Sequence, residues 1–141
     1  MNSTESVESK FKLHVSFAEA DIEFVDTVLA ALGQLNRFDL SVTPGGEDDA
    51  KVWVRDAGGL IEAADAIVYV LSPTSVALPT IAYEAERAIA LSKRMIPIIC
   101  QPLRKAEVPA ALSGLRPLRM ETEQLLNGNL QAMLRLLARD A

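Results

Sequence analysis

The chain has 141 residues, half of them hydrophobic and 23% charged, enough for one domain that buries roughly 68–70% of the surface its unfolded chain exposes. That balance excludes a disordered or fibrous chain, and a formal net charge of −5 with scattered basic residues excludes the electrostatic footprint of a nucleic-acid binder. A lone cysteine, Cys100, excludes an internal disulfide, and no secretory segment or apolar span of about 18 residues is present, so a soluble, cytoplasmic protein with no membrane partner is expected.

Residues 1–10 are rich in Ser, Glu and Asn and read as a disordered lead-in, followed by a single domain over 11–141. Leu13–Phe17 reads as the first strand. Asp21 then caps a helix in which Ile22, Val25, Val28, Leu29 and Leu32 recur at three and four residues until Gly33 stops it. Phe38, Leu40 and Val42 alternate with Asp39, Ser41 and Thr43, the pattern of an edge strand with one wet face. Pro44–Asp49 follows as a loop. A second helix is expected over Lys51–Ala64, weakened by Gly58-Gly59, with Trp53 anchoring it to the sheet.

Ala66–Leu71 and Met95–Cys100 are continuous apolar runs, as central parallel strands covered on both faces require, although Pro97 lacks a ladder donor. Thr80–Lys93 between them reads as a helix. Leu118 lies in a short edge strand between Arg116 and Met120. The last helix ends near Arg139, and Asn127-Gly128-Asn129 leaves open whether it begins before Leu130 or only there.

Strands alternating with helices at this spacing give a flavodoxin-like three-layer α/β fold, with a five-stranded parallel sheet in the order 2-1-3-4-5. Such sheets bind ligands beyond the carboxyl ends of their strands, where the strand order reverses. Here that point lies between strands one and three, flanked by Ala18–Asp21 and Ser72–Pro79. The second of these loops leads into the helix carrying Tyr83-Glu84-Ala85-Glu86-Arg87. A helix turns about 100° per residue, so Glu84 and Glu86 point roughly 200° apart and cannot share a cleft. With Ile81, Ala85, Ala88 and Ile89 as the buried stripe, Glu84 falls roughly 85° from its centre and Glu86 roughly 115°. Glu84 is therefore the candidate acid, the alternative being a helix-surface carboxylate paired with Arg87 or water. His14, the only histidine, cannot build a metal cluster and reads as a packed or partly exposed strand residue. Ser16, Ser72 and Ser75 lack a nucleophile elbow, and Gly45-Gly46 and Gly58-Gly59 match neither phosphate-binding pattern. Neither a metal nor a cofactor is expected.

The run His14-Val15-Ser16-Phe17-Ala18-Glu19-Ala20-Asp21 resembles the "FISYSxAD" opening of bacterial Toll/interleukin-1 receptor (TIR) domains. Glu62 to Ser75 is similar to their "EAADxxVxVLSPxS", and Tyr83 to Ala88 with Ser92 to Ile98 to their "WEVERA…GKRIIPV". The resemblance runs from Lys12 to Met120 and implies the fold already derived. Many family members cleave NAD⁺ at the nicotinamide–ribose bond, and their catalytic glutamate, in a "WCxxE" setting, aligns with Glu84. It implies NAD⁺ as substrate, with Ser16, Phe17, Ala18, Asp21, Ser72 and Thr80 around it; Phe17 either packs on the nicotinamide or adenine or belongs to the core. Pro44, Gly45, Gly46, Glu47 and Asp48 correspond to the BB loop, through which TIR domains meet one another, so homo-oligomerisation on activation is implied, in antiviral defence, toxicity or signalling. Thr80-Ile81 stands where the family often has Trp-Cys, and Thr43-Pro44 where many members have Asp-Arg. Those departures fit a second reading, a non-enzymatic adaptor that binds other TIR domains. A flavin or phospho-receiver module is a weaker third, since neither a receiver's acidic pair nor a phosphate-cradling loop is visible.

Overall fold

The computed structural model describes residues 11–35, 37–45 and 59–140. Its strands are β1 (Phe11–Ala18), β2 (Phe38–Gly45), β3 (Ala66–Leu71), β4 (Arg94–Ile99) and β5 (Leu118–Arg119). They form one sheet in the order β2-β1-β3-β4-β5, and every neighbouring pair is parallel. The helices are α1 (Ile22–Gln34), α2 (59–63), α3 (Pro73–Val76), α4 (Pro79–Ala90) and α5 (Glu123–Asp140). Single 3-10 turns lie at Glu19–Asp21, Lys105–Glu107 and Ala110–Leu112. This is the flavodoxin-like arrangement expected from the alternation of strands and helices.

Side-chain alternation splits the core into two layers. On one face Leu13, Val15 and Phe17 of β1, Val68 and Val70 of β3, and Ile96 and Ile98 of β4 pack against α1 and α5. On the other, Ile67, Tyr69 and Leu71 of β3 with Ile99 of β4 pack against Ile61 of α2 and Ile81, Ala85 and Ala88 of α4. The central strand β3 is buried along its whole length, which is why its sequence is a continuous apolar run. At the outer edge Phe11 and Phe38, opposite one another in register, meet edge to face at 6.1 Å between ring centres.

Several elements differ in extent from the sequence expectation. Pro44 and Gly45 are not loop residues but close β2, paired with Phe17 and Ala18, because β1 runs on to Ala18 and an edge strand tolerates a residue without an N–H. The alternation in β2 fades along it, since Val42 is 40% exposed. Gly33 lies inside α1 rather than ending it. The expected lead-in, Gly46–Asp49 and residues 51–58 with Trp53 lie outside the described residues.

Pro97 sits within β4 without breaking the ladder, for a positional reason. The Cys100 N–H donates to the Leu71 carbonyl at 3.0 Å, whereas the Ile99 carbonyl accepts from Met120 N–H at 2.8 Å. Even-numbered residues of β4 thus bond towards β3 and odd-numbered ones towards β5. The donor that Pro97 lacks faces the β5 side, where pairing begins only at Ile98.

Helix α5 starts at Glu123 and runs through Asn127-Gly128-Asn129, so the later start at Leu130 is not adopted. The Thr122 hydroxyl accepts from Leu125 N–H at 3.1 Å as an N-cap, and the Asn129 side-chain amide donates to the Arg119 carbonyl at 2.6 Å. Those two bonds compensate for residues of poor helix propensity.

Candidate active site

The carboxyl ends of β1, β3 and β4 meet at the switch point, and Asp21 joins them. It lies just beyond β1, is only 4% exposed, and accepts hydrogen bonds from Ser72 Oγ at 2.6 Å and Gln101 Nε2 at 3.1 Å. Its side chain therefore does not cap α1, as its position at the head of that helix suggested. Ser72 follows β3 directly and caps α3 reciprocally: its hydroxyl accepts from Ser75 N–H at 3.1 Å, while Ser75 Oγ accepts from Ser72 N–H at 2.9 Å. Asp21 and Ser72, both expected around a substrate, spend their polar groups on one another and on the turn that launches α4.

Cys100 adjoins the same cluster. Burial first, and then the Asp21 charge, push its thiol up to about 12, so it is no nucleophile at neutral pH. His14 is fully buried on β1, with Nδ1 2.7 Å from Ser41 Oγ. Burial pulls its pKa down to about 4, which keeps the ring neutral.

Helix α4 begins with Pro79 at its first position and has no side-chain cap; Leu78, Thr80 and Ile81 at its start are buried, and the Ile81 N–H donates to the Leu78 carbonyl at 3.2 Å. Its buried residues are Thr80, Ile81, Glu84, Ala85 and Ala88, whereas Ile89, taken from the sequence as part of the packed stripe, is 49% exposed. The helix is thus rolled towards Glu84, which is fully buried, while Glu86 faces solvent. Small residues at 85 and 88 permit close approach to the sheet, and the Tyr69 hydroxyl of β3 donates to the Glu84 carbonyl at 2.9 Å. Burial and the nearby Glu84 charge drive the Tyr69 pKa up, so it stays a phenol. Fully buried, Glu84 is not the helix-surface carboxylate of the alternative reading. Arg87 instead bonds Glu62 at 2.6 Å, and Lys93 Nζ donates to the Glu62 carbonyl at 2.9 Å.

Ser16, Ala18 and Thr80 gather on this face of the sheet. Ser16 alternates with Val15 and Phe17, which belong to the opposite core layer, and lies beside Tyr69 in register. Thr80 and Glu84 are four residues apart and share a side of α4. The Ser16 and Thr80 hydroxyls are buried with no hydrogen-bond partner among the described residues. Phe17 is 1% exposed and packs in the layer against α1 and α5. Of the loop residues at 44–48, Pro44 and Gly45 end β2, and Gly46, Glu47 and Asp48 lie outside the described residues.

Tyr69, Gln101 and Ser41 are participants that the sequence reading missed. For Tyr69 a signal existed: a strand position between Ile67 and Leu71 buries a phenol, which needs an acceptor. For Gln101 and Ser41 none did. Among the described residues, no group of three or more His, Cys, Asp or Glu is placed to hold a metal ion, and no helix is long and apolar enough to cross a membrane.

A comparison with curated proteins returns no match. Among solved structures, the chain is similar to the TIR domain of the Toll-related receptor TRR-2 from Hydra magnipapillata, at 21% identity over 87% of this chain and 94% of that one, with a TM-score of 0.63. It is also similar to a 3-dehydroquinate dehydratase-like protein from Bifidobacterium longum, at 15% identity over 90% and 98% of the two chains, with a TM-score of 0.56. At such identities both likenesses speak for the fold alone. The family model of the TIR domain matches residues 14–136, nearly the whole described sheet and its helices. The chain therefore belongs to the TIR domain family.

Proposed function

We propose that this TIR domain is an NAD⁺ glycohydrolase switched on by self-association, with Glu84 as its catalytic carboxylate. Membership of the family supports TIR-type signalling and TIR–TIR association in general. The finer reading is carried by one observation: the Ser16 and Thr80 hydroxyls are buried without partners among the described residues, on the face of the sheet that α4 covers with Glu84. An unsatisfied buried hydroxyl costs about 1–3 kcal/mol, and a ligand that completes it repays retaining it. The ribose hydroxyls of NAD⁺ have the complementary chemistry.

When the nicotinamide–ribose bond breaks, the electron pair leaves with nicotinamide and the ribose gains oxocarbenium character. A carboxylate held in a dry site stabilises that charge until water adds to the anomeric carbon. Nicotinamide is a good leaving group, so one acid suffices. Glu84 is fully buried in this conformation, so the site must open before substrate enters. Pro44 and Gly45, at the β2 end of the segment that corresponds to the BB loop, pair directly with Phe17 and Ala18, so a partner domain seated on that segment acts on the strand that carries Ser16. A role in bacterial defence or toxicity, inside the cytoplasm, belongs to the same proposal.

The test is NAD⁺ consumption with product identification at rising protein concentration. Turnover that climbs faster than concentration supports an assembly-gated hydrolase, and a folded protein that consumes no NAD⁺ at any concentration overturns it. The adaptor reading is favoured by Thr80-Ile81 in place of Trp-Cys together with the closed site. It predicts TIR–TIR capture without turnover, and a chain that stays monomeric and captures no TIR domain rules it out.

A further inference from the structure

A cavity of about 420 Å³ lies away from Glu84, between β4, β5 and the segment 103–117. Its inner wall is apolar: Ile99, Leu103 and Leu112 line it and are 2%, 8% and 1% exposed. Its charged lining consists of Lys105, Arg116 and Arg119, all exposed at the rim, and no acidic residue lines it. In a chain with net charge −5 this concentration of cations at one opening runs against the whole. Arg119 is engaged by Glu121, but Lys105 and Arg116 have no ion pair among the described residues.

We propose that this cavity binds a small organic anion, an apolar ring or chain seated on Ile99, Leu103 and Leu112 with a phosphate or carboxylate head between Lys105 and Arg116. The volume lies in the range of about 300–1,000 Å³ typical of ligand sites, and an apolar wall with a few charged groups at the mouth is their usual construction. Arginine matches phosphate and carboxylate geometry through paired N–H donors, and lysine adds a point charge beside it. The site is separate from the one proposed for NAD⁺, although Leu112 shares its core layer with Ile81 and Ala85 of α4.

The experiment is an amide NMR titration of the whole chain with naphthyl phosphate, naphthoate, naphthol and inorganic phosphate, repeated on the double variant Lys105→Glu/Arg116→Glu. Both substituted side chains are exposed, so the variant keeps the wild-type spectrum away from the cavity. The expected result is saturable binding of an aromatic anion, with shifts centred on Ile99, Leu112 and Gly114. Naphthol and inorganic phosphate should bind at least roughly tenfold more weakly, and the double variant should lose roughly tenfold or more in affinity for the anion. Whether naphthyl phosphate or naphthoate binds more tightly identifies the head group. The proposal is overturned if neither anion saturates at millimolar concentration, if the shifts centre elsewhere, or if the double variant binds as tightly as wild type.

Discussion

The Asp21–Ser72 bond is the tie that holds the switch point together, and its removal has a calculable cost. Asp21→Ala deletes a charged acceptor that is 4% exposed and takes a hydrogen bond of 2.6 Å from Ser72. A hydrogen bond to a charged group contributes about 1.5–3 kcal/mol net. The Gln101 bond, at 3.1 Å from an exposed side chain, adds a fraction of that. The expected loss is about 2–4 kcal/mol, on the order of 10 °C in melting temperature for a domain of this size. Ser72→Ala removes the same bond and the cap of α3, about 1 kcal/mol more. Because the two variants share one interaction, the double variant should cost about 1.5–3 kcal/mol less than the sum of the singles. Urea unfolding of the four proteins, followed by circular dichroism, measures all of this. A coupling below about 0.5 kcal/mol would refute the reasoning, since it would mean that the bond contributes nothing beyond what water supplies.

His14 makes stability depend on pH: its folded pKa of about 4 lies below the usual 6.5, so the unfolded chain takes the proton first. Stability is full above the unfolded value, falls as pH drops from there towards 4, and loses up to about 3 kcal/mol in total; His14→Gln should lose that slope in urea melts between about pH 7 and pH 4.5. Tyr69→Phe removes the bond to the Glu84 carbonyl and should destabilise the domain by about 1 kcal/mol, and a melting curve identical to wild type would show that α4 does not depend on it. Ser92, the residue after the C-cap of α4, sits at φ 56°, where a side chain is strained, so Ser92→Gly should raise stability by about 0.5–1 kcal/mol in the same urea assay.

The fold was legible because the two central strands are apolar on both faces and the strand at the β2 edge starts with an alternating pattern, so burial could be read directly from residue type. Helix rotation alone puts Glu84 nearer the packed face than Glu86, as the structure has it, but its full burial does not follow from rotation. The stripe was centred on apolar residues, and Ile89 drew that centre away from the side where Tyr69 reaches Glu84. Asp21 was placed correctly at the head of α1 and misread in its bonding, since Ser72 and Gln101 lie 51 and 80 residues away in sequence and no local pattern encodes them. The start of α5 was ambiguous for a related reason: the contact of Asn129 with Arg119 offsets the weak helix propensity of its own segment. The cavity beside β5 has no sequence signature, because its wall combines Pro97 and Ile99 of β4, Arg119 of β5 and connecting residues from 103 to 117, which no local pattern brings together.

The central claim rests on one carboxyl group. The rate of nicotinamide release from NAD⁺ by Glu84→Gln, against wild type at a concentration where wild type turns over, tests it most directly. The variant is nearly isosteric, so matching melting curves separate chemistry from folding. A fall of roughly a hundredfold or more at unchanged stability is predicted, since a stabilising charge at the reacting ribose is lost. A rate within a few-fold of wild type would contradict the assignment of Glu84.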